Sequence, residues 1–419
     1  MDITHASGRL IVSCTLMLVL STPVVVPPVL YSSIATSLGI AQAHVTALMP
    51  AAYATGSFAL TMPGSLFMEH FGVRQSFVLG VTFQSIFVTM QILSLRLWQL
   101  VALQAALGMC HCFAGTVGFI AFCNAWFGEH PSTAISLNFA AFGLAGALWT
   151  PLAAAITGYF EWRTALACSA GLQWCVALPL AVCGMHDPPP ASVVRRPSRV
   201  AREPSLELDR PMMVWWLMDG SVWLLALLSS SVLYVTYSVN NSATLFFVTE
   251  AAVPLSRASF YTSLIYAGNM AGKTLIGPLY DSRHGGACAV GACALLVSGS
   301  AVLWHLAWHS SGGIEALVFA IVFGLGYGGA YALVQSKAAL HFGHRHGFKA
   351  MQGFLYCWQM AGTISGEIIT PELAHAKSFA AAFAAVTGIA VSALVALLAF
   401  EAREVWLSRV SSQSQATLL

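Results

Sequence analysis

Lys273 lies inside an apolar stretch, TSLIYAGNMAGKTLIGPLYD (262–281), that is long enough to cross a bilayer. A lysine at membrane depth costs about 2.5–3.5 kcal/mol even on the mildest insertion scale. Thr262, Tyr266, Asn269 and Lys273 recur at i, i+4, i+7 and i+11, which puts them on one helix face. Gly268, Ala271, Gly272 and Gly277 leave room for a neighbouring helix to pack closely. The pattern predicts a close-packed helix with a polar stripe turned to a water-filled cavity and one positive charge in it. The plainer alternative is a lysine that snorkels to the surface, since Asp281 stands only two turns further on.

Two more ionisable residues fall in apolar stretches. His111, in GMCHCFAG, takes up a proton near neutral pH or packs as a neutral ring. Glu367, in SGEIITPEL, is the second proton-coupling candidate, unless with Glu372 it approaches the surface. Cys110–His111–Cys112 makes no metal site, because adjacent residues on a helix point apart. Tyr31, Tyr234, Tyr237, Tyr327, Tyr331, Asn240, Asn241 and Gln335 are candidate cavity-wall donors. No paired carboxylates, nucleophile–base set, nucleotide loop or metal spacing occurs, so neither an enzyme nor a cofactor or metal is expected. The ten cysteines are scattered without a CxxC pair and are read as packing residues.

The elements that position these residues follow from charge. Of 419 residues, 58% are hydrophobic and 8% charged, against about 25% charged in soluble chains. This is a multi-pass membrane protein, with lipid as its surroundings and no basic run for nucleic acid. Between Arg9 and Glu69 there is no Asp, Glu, Lys or Arg, so that run holds two spans, broken near Ser37–His44. The first is read as an uncleaved span, interrupted by Pro23, Pro27 and Pro28. Ten further charge-free windows bring the total to twelve. A Pro- and Arg-rich loop, 186–211, separates spans six and seven. The expected architecture is all-α: twelve transmembrane helices in two six-helix bundles, 1–185 and 220–419, with a linker at 186–219.

With both termini inside, thirteen Lys and Arg residues fall inside and four outside, with Lys273 alone in the membrane. The asymmetry places the termini and the long loop in the cytoplasm. The plasma membrane is the expected location, and the expected state is a monomer or a weak oligomer. His341, His344 and His346 are assigned to a solvated basic loop between spans ten and eleven, near lipid headgroups. The loops SLFMEHFGVR (65–74) and GPLYDSRHGG (277–286) occupy equivalent places in the two halves, which suggests an internal duplication.

Those loops resemble the GxxxDRxGRR loop of the major facilitator superfamily. Glu69, Gly72 and Arg74 match in the first copy, and Gly277, Asp281 and Arg283 stand in the second, where one extra residue precedes Gly285. The stretch 124–166, with Trp126–Phe127 and Trp162–Arg163, is similar to the monocarboxylate transporter and oxalate:formate antiporter branch, although Glu129–His130 replaces a basic pair. GNMAGKTLIG (268–277) and FGLGYGGAYALVQSKAALHFG (323–343) resemble that branch's eighth and tenth helices. YSSIATSLGIAQAHV (31–45) and YSVNNSATLFF (237–247) also resemble nodulin-like members. The resemblance implies alternating access between two bundles, with Lys273 as ligand of a small organic anion and a proton as a possible co-substrate. It departs from the branch in carrying Lys where Arg is usual, Asn269 where an acid is usual, and no basic residue in span one or the middle of span eleven. The rival expectations are a carrier of a zwitterionic amino acid or a metal chelate, and a nutrient sensor that moves nothing.

Overall fold

The computed structural model describes residues 3–127, 130–186, 215–281, 285–309, 313–345 and 347–418, and among them every regular element is helical. Span one comes in three pieces, α1 (Ile3–Leu20), α2 (Thr22–Val25) and α3 (Pro27–Leu38). Spans two and three are α4 (Gln42–Phe71) and α5 (Val73–Ile92). Span four is split into α6 (Leu97–Ala114) and α7 (Thr116–Trp126), and span five is α8 (Pro131–Tyr159). Span six runs through α9 (Trp162–Leu172), a π-helical turn (Gln173–Ala177) and α10 (Leu178–Gly184). After the short α11 (Trp215–Met218), spans seven to nine are α12 (Gly220–Thr249), α13 (Leu255–Asp281) and α14 (Gly285–His309). Spans ten to twelve are α15 (Ile314–Phe342), α16 (Phe348–Ala376) and α17 (Phe379–Leu418). The twelve expected spans are present, with the first turn between spans falling at 39–41 as the charge-free run predicts.

The prolines break span one as expected, and span six repairs it. Pro23 has no N–H to offer the Val19 carbonyl, which in hydrocarbon is expensive to leave bare. Gln173 Nε2, from the π turn, donates to the Val19 carbonyl at 3.0 Å and to Thr22 Oγ1 at 3.1 Å. Gln84 Nε2 donates to the Leu20 carbonyl at 3.0 Å, and Trp149 Nε1 to the Leu18 carbonyl at 2.8 Å. Spans three, five and six thus each supply a donor to one kink.

Among the described residues, nine spans are long and apolar enough to cross a membrane by length and composition. The other three, α4, α13 and α16, share a location. They lie where the two halves meet, with α4 packed on α16 and α13 on α8. Helices that face a partner and a cavity rather than lipid have no need of an all-round apolar surface. Two hydroxyls of α4 are satisfied within the helix: Thr55 and Ser65 each donate to the carbonyl four residues back, at 2.7 Å.

The glycines of α13 do what the sequence predicts. A Cβ on Gly268 would stand 3.0 Å from Gly324 Cα, one on Gly272 would strike the Leu325 carbonyl, and one on Gly277 would meet Ser136 of α8. Gly328 of α15 lies directly against the Asn269 carbonyl. Helix α13 is therefore held between α15 and α8 at backbone distance, and this fixes the height and rotation of Lys273.

Two features correct the sequence reading. Lys337, counted there as an inner-surface charge, is buried in α15 (1% exposed) and ion-paired with Glu401 of α17. Removing it from the tally leaves the charge asymmetry intact. His341 belongs to α15 rather than to a loop: its Nδ1–H donates to the Lys337 carbonyl at 3.0 Å, and its Nε2 lies 3.9 Å from Glu404. His346, Arg283 and the linker arginines lie outside the described residues.

Candidate functional site

Lys273 does not snorkel. It is 2% exposed, and its Nζ stands 4.9 Å from the centroid of Tyr331, 5.6 Å from Phe142 and 5.7 Å from Tyr327. Phe142 comes from α8 of the first half and the tyrosines from α15 of the second, so the ammonium sits between the halves. Among the described residues, no carboxylate lies within ion-pairing distance of it. Aromatic faces offset part of the desolvation by cation–π attraction but leave the charge without a counter-ion.

The remaining face of α13 completes the wall. Asn269 is buried beside the Tyr327 hydroxyl, and its Oδ1 has no hydrogen-bond partner. Tyr266, one turn before Asn269, is 46% exposed. Gln335, one turn beyond Tyr331, and Asn138, one turn before Phe142, also carry buried amide atoms without protein partners. Unmet polar groups at this density are costly in a dry interior.

Span four carries a break the sequence reading missed. The helix stops at Ala114 and restarts at Thr116, with Gly115 between. A Cβ on Gly115 would stand 2.5 Å from the His111 ring, so the glycine makes room for the histidine. The His111 ring packs 6.0 Å from Tyr53 of its own half and 5.8 Å from Tyr356 of the other, with Thr116 Oγ1 3.5 Å from its Nε2. Thr116 is also the hydrogen-bonding neighbour of Tyr331 and Tyr356. The only sequence signal for the break is a lone Gly followed by the β-branched pair Thr116–Val117, which is weak in a Gly-rich chain.

Glu367 sits nearer the opposite end of the bundle. It is half-buried, its carboxylate is bonded by the Asn241 side chain, and Tyr31 of the first half lies within its electrostatic reach. Tyr237 lies within reach of Glu367, Tyr327, Tyr331 and Tyr356 alike. Tyr237 thus lies between the surroundings of Glu367 and the tyrosines beside Lys273. Tyr234 is not brought to the cavity wall near Lys273. Its hydroxyl accepts from Thr370 Oγ1 at 3.3 Å in the contact between α12 and α16.

The two loop motifs meet across the halves in a reciprocal way. Asp281 Oδ2 accepts from the backbone N–H of Thr133 at 2.8 Å and from its Oγ1–H at 2.6 Å, in the first turn of α8. Glu69 Oε1 accepts from the Gly347 N–H at 3.4 Å, at the start of α16. Each acid thus caps a helix of the other half, where free N–H groups and the helix dipole favour an anion. Lys349 Nζ returns the contact by donating to the Met68 carbonyl at 2.9 Å. Gly72, at φ 88°, turns the chain between α4 and α5 in a conformation glycine alone adopts easily. Arg74 turns away from the interface, to the Val182 carbonyl at 3.1 Å. These contacts all lie at the face that carries residues 186 and 215, hereafter the linker face.

Among solved structures, the human organic anion transporter MFSD10 (TETRAN) superposes with a TM-score of 0.73 at 12% identity, over 95% of this chain and 100% of that one. The proton:xylose symporter XylE, bound to 6-bromo-6-deoxy-D-glucose, gives a TM-score of 0.73 at 12% identity, over 96% of each chain. At such identity the likeness is one of fold. No curated protein matches the chain in sequence. The profile of the Major Facilitator Superfamily matches residues 11–351, most of the length of both halves. With its twelve-helix architecture in two six-helix halves, this chain is a multi-pass membrane transporter of the Major Facilitator Superfamily, and not an enzyme.

Proposed function

We propose that the protein moves a small organic anion, monocarboxylate in kind, across its membrane by alternating access, with Lys273 as the ligand of the carboxylate. The observation that carries this is an uncompensated ammonium held between the two halves. Its partners are aromatic rings, and among the described residues no carboxylate is ion-paired with it. A guest carboxylate supplies the missing charge where the low dielectric makes the attraction strong. Asn269, Tyr266, Tyr327 and Tyr331 flank that charge as donors and walls. MFSD10 is described as an organic anion transporter, which agrees with this choice, whereas XylE is described as a proton:xylose symporter. His111 and Glu367 are the protonatable groups of the cavity and the candidates for a coupled proton. Glu69, Asp281 and the glycines beside them act as the latch of the linker face. That face is cytoplasmic by its charge, and the plasma membrane remains the proposed location.

The test is ligand stabilisation of the purified protein. Short monocarboxylates are expected to raise its unfolding temperature, and Lys273→Gln is expected to abolish the shift. A Lys273→Gln protein stabilised as strongly as the wild type would overturn the assignment.

A further inference from the structure

A second ionisable group within reach of both halves, Glu367, has the opposite sign to Lys273. Glu367 is hydrogen-bonded by the Asn241 side chain and lies within electrostatic reach of Tyr237 on one side and of Tyr31 on the other. Among the described residues no Lys, Arg or His forms an ion pair with it. The two charges do not neutralise each other because they stand at different heights. Lys273 lies about two turns above Asp281 on α13, whereas Glu367 lies about five turns above Phe348 on α16. At about 5.4 Å per turn the difference is roughly 16 Å along the helices. Tyr237, within electrostatic reach of Glu367, and Tyr327 and Tyr331, beside Lys273, offer ring faces and hydroxyls but no charge.

We infer that the substrate is an elongated zwitterion. Its carboxylate rests on Lys273, its cationic group on Glu367, and an apolar or aromatic middle lies along the tyrosines. This rests on the carboxylate assignment of Lys273 and adds to it what the far end of the molecule carries. An anion alone would leave Glu367 as an unpaired carboxylate. A short α-amino acid would reach one charge but not the other.

The experiment compares ω-amino carboxylates with their deaminated analogues, from aminobutyrate and butyrate to aminodecanoate and decanoate. Binding is measured by calorimetry on the full-length protein in lipid nanodiscs. In the wild type the amino compound is expected to gain on its analogue as the chain lengthens, reaching about tenfold tighter binding at the length that spans both charges. Glu367→Gln should bring the two to within about twofold without weakening the plain acid, and Lys273→Gln should lose both. Glu367→Asp, one methylene shorter, should restore the preference with its optimum at a longer chain. Equal affinity for both series in the wild type overturns the zwitterion but leaves the carboxylate reading standing, provided that Lys273→Gln still loses the plain acid. If the preference survives Glu367→Gln, and that variant loses only the dependence of flux on a pH gradient, Glu367 is a proton carrier and the inference fails. Plain acids that bind Lys273→Gln as well as wild type sink the underlying reading. Binding of neither series to a cooperatively folded protein overturns both.

Discussion

At the scale of the residue, three aromatic rings make Lys273 tolerable. Cation–π contacts of about 0.5–2 kcal/mol each are together comparable to the insertion cost of about 2.5–3.5 kcal/mol. The cage therefore stores a charge that an incoming carboxylate can use without first displacing an internal counter-ion. Lys273→Gln should then weaken binding of an anionic probe by about a hundredfold or more, since a desolvated anion without its partner costs several kcal/mol. Lys273→Arg keeps the charge but puts a planar fork where the rings fit an ammonium. It should retain binding at about a tenfold loss, and titration calorimetry on the three proteins checks both. The periodicity of Tyr266, Asn269 and Lys273 made this face legible, because one helix holds all three. Lys337 was not legible. Its partner Glu401 lies on another span, and a pair formed between helices leaves no local pattern in either.

At the scale of the element, backbone contact between α13 and α15 positions that lysine. Gly328 lies directly against the Asn269 carbonyl, one turn before Lys273. A methyl group there presses on backbone that cannot yield cheaply, and overpacking of this kind costs about 1–3 kcal/mol. Gly328→Ala should lower the unfolding temperature and weaken binding, although it touches no substrate. Gly291→Ala on the adjacent α14 has open space around it and should change neither; parallel thermal unfolding and binding curves separate the two. Charge-free windows and prolines announced the spans and the break in span one. Nothing comparable announced the break at Gly115, where the cause is the bulk of the His111 ring from the turn before. That is a contact in space, and the chain carries many glycines that break nothing.

At the scale of the whole molecule, the reciprocal caps close the linker face. Asp281 binds two donors of α8 at short range, whereas Glu69 reaches one donor of α16 at 3.4 Å. Most of the closure is therefore assigned to Asp281. Asp281→Asn removes the charge that the helix end favours, about 1 kcal/mol, which shifts the balance toward an open linker face about fivefold. A cysteine at the buried Ser136, in a background without native cysteines, should be labelled correspondingly faster, while substrate affinity stays within a few-fold. The sidedness itself is testable in intact cells. A cysteine at Ser198 in the linker should resist an impermeant thiol reagent, and one at Ser256 should react; the reverse outcome inverts the topology. The loop motifs pointed to these acids by their equivalent places in the two halves. What each acid caps could be seen only once the halves were packed together.

The opposite signs of Lys273 and Glu367 also have an electrical consequence. A unit charge that senses the full membrane field changes in energy by about 2.3 kcal/mol per 100 mV. An empty cavity holding one positive and one negative group has no net charge, so its return between the two faces should be nearly blind to voltage. Glu367→Gln would leave the ammonium alone. Voltage steps applied without substrate should then evoke transient capacitive currents in that variant and little in the wild type, so that an electrode reads out a charge balance set by two side chains on different helices.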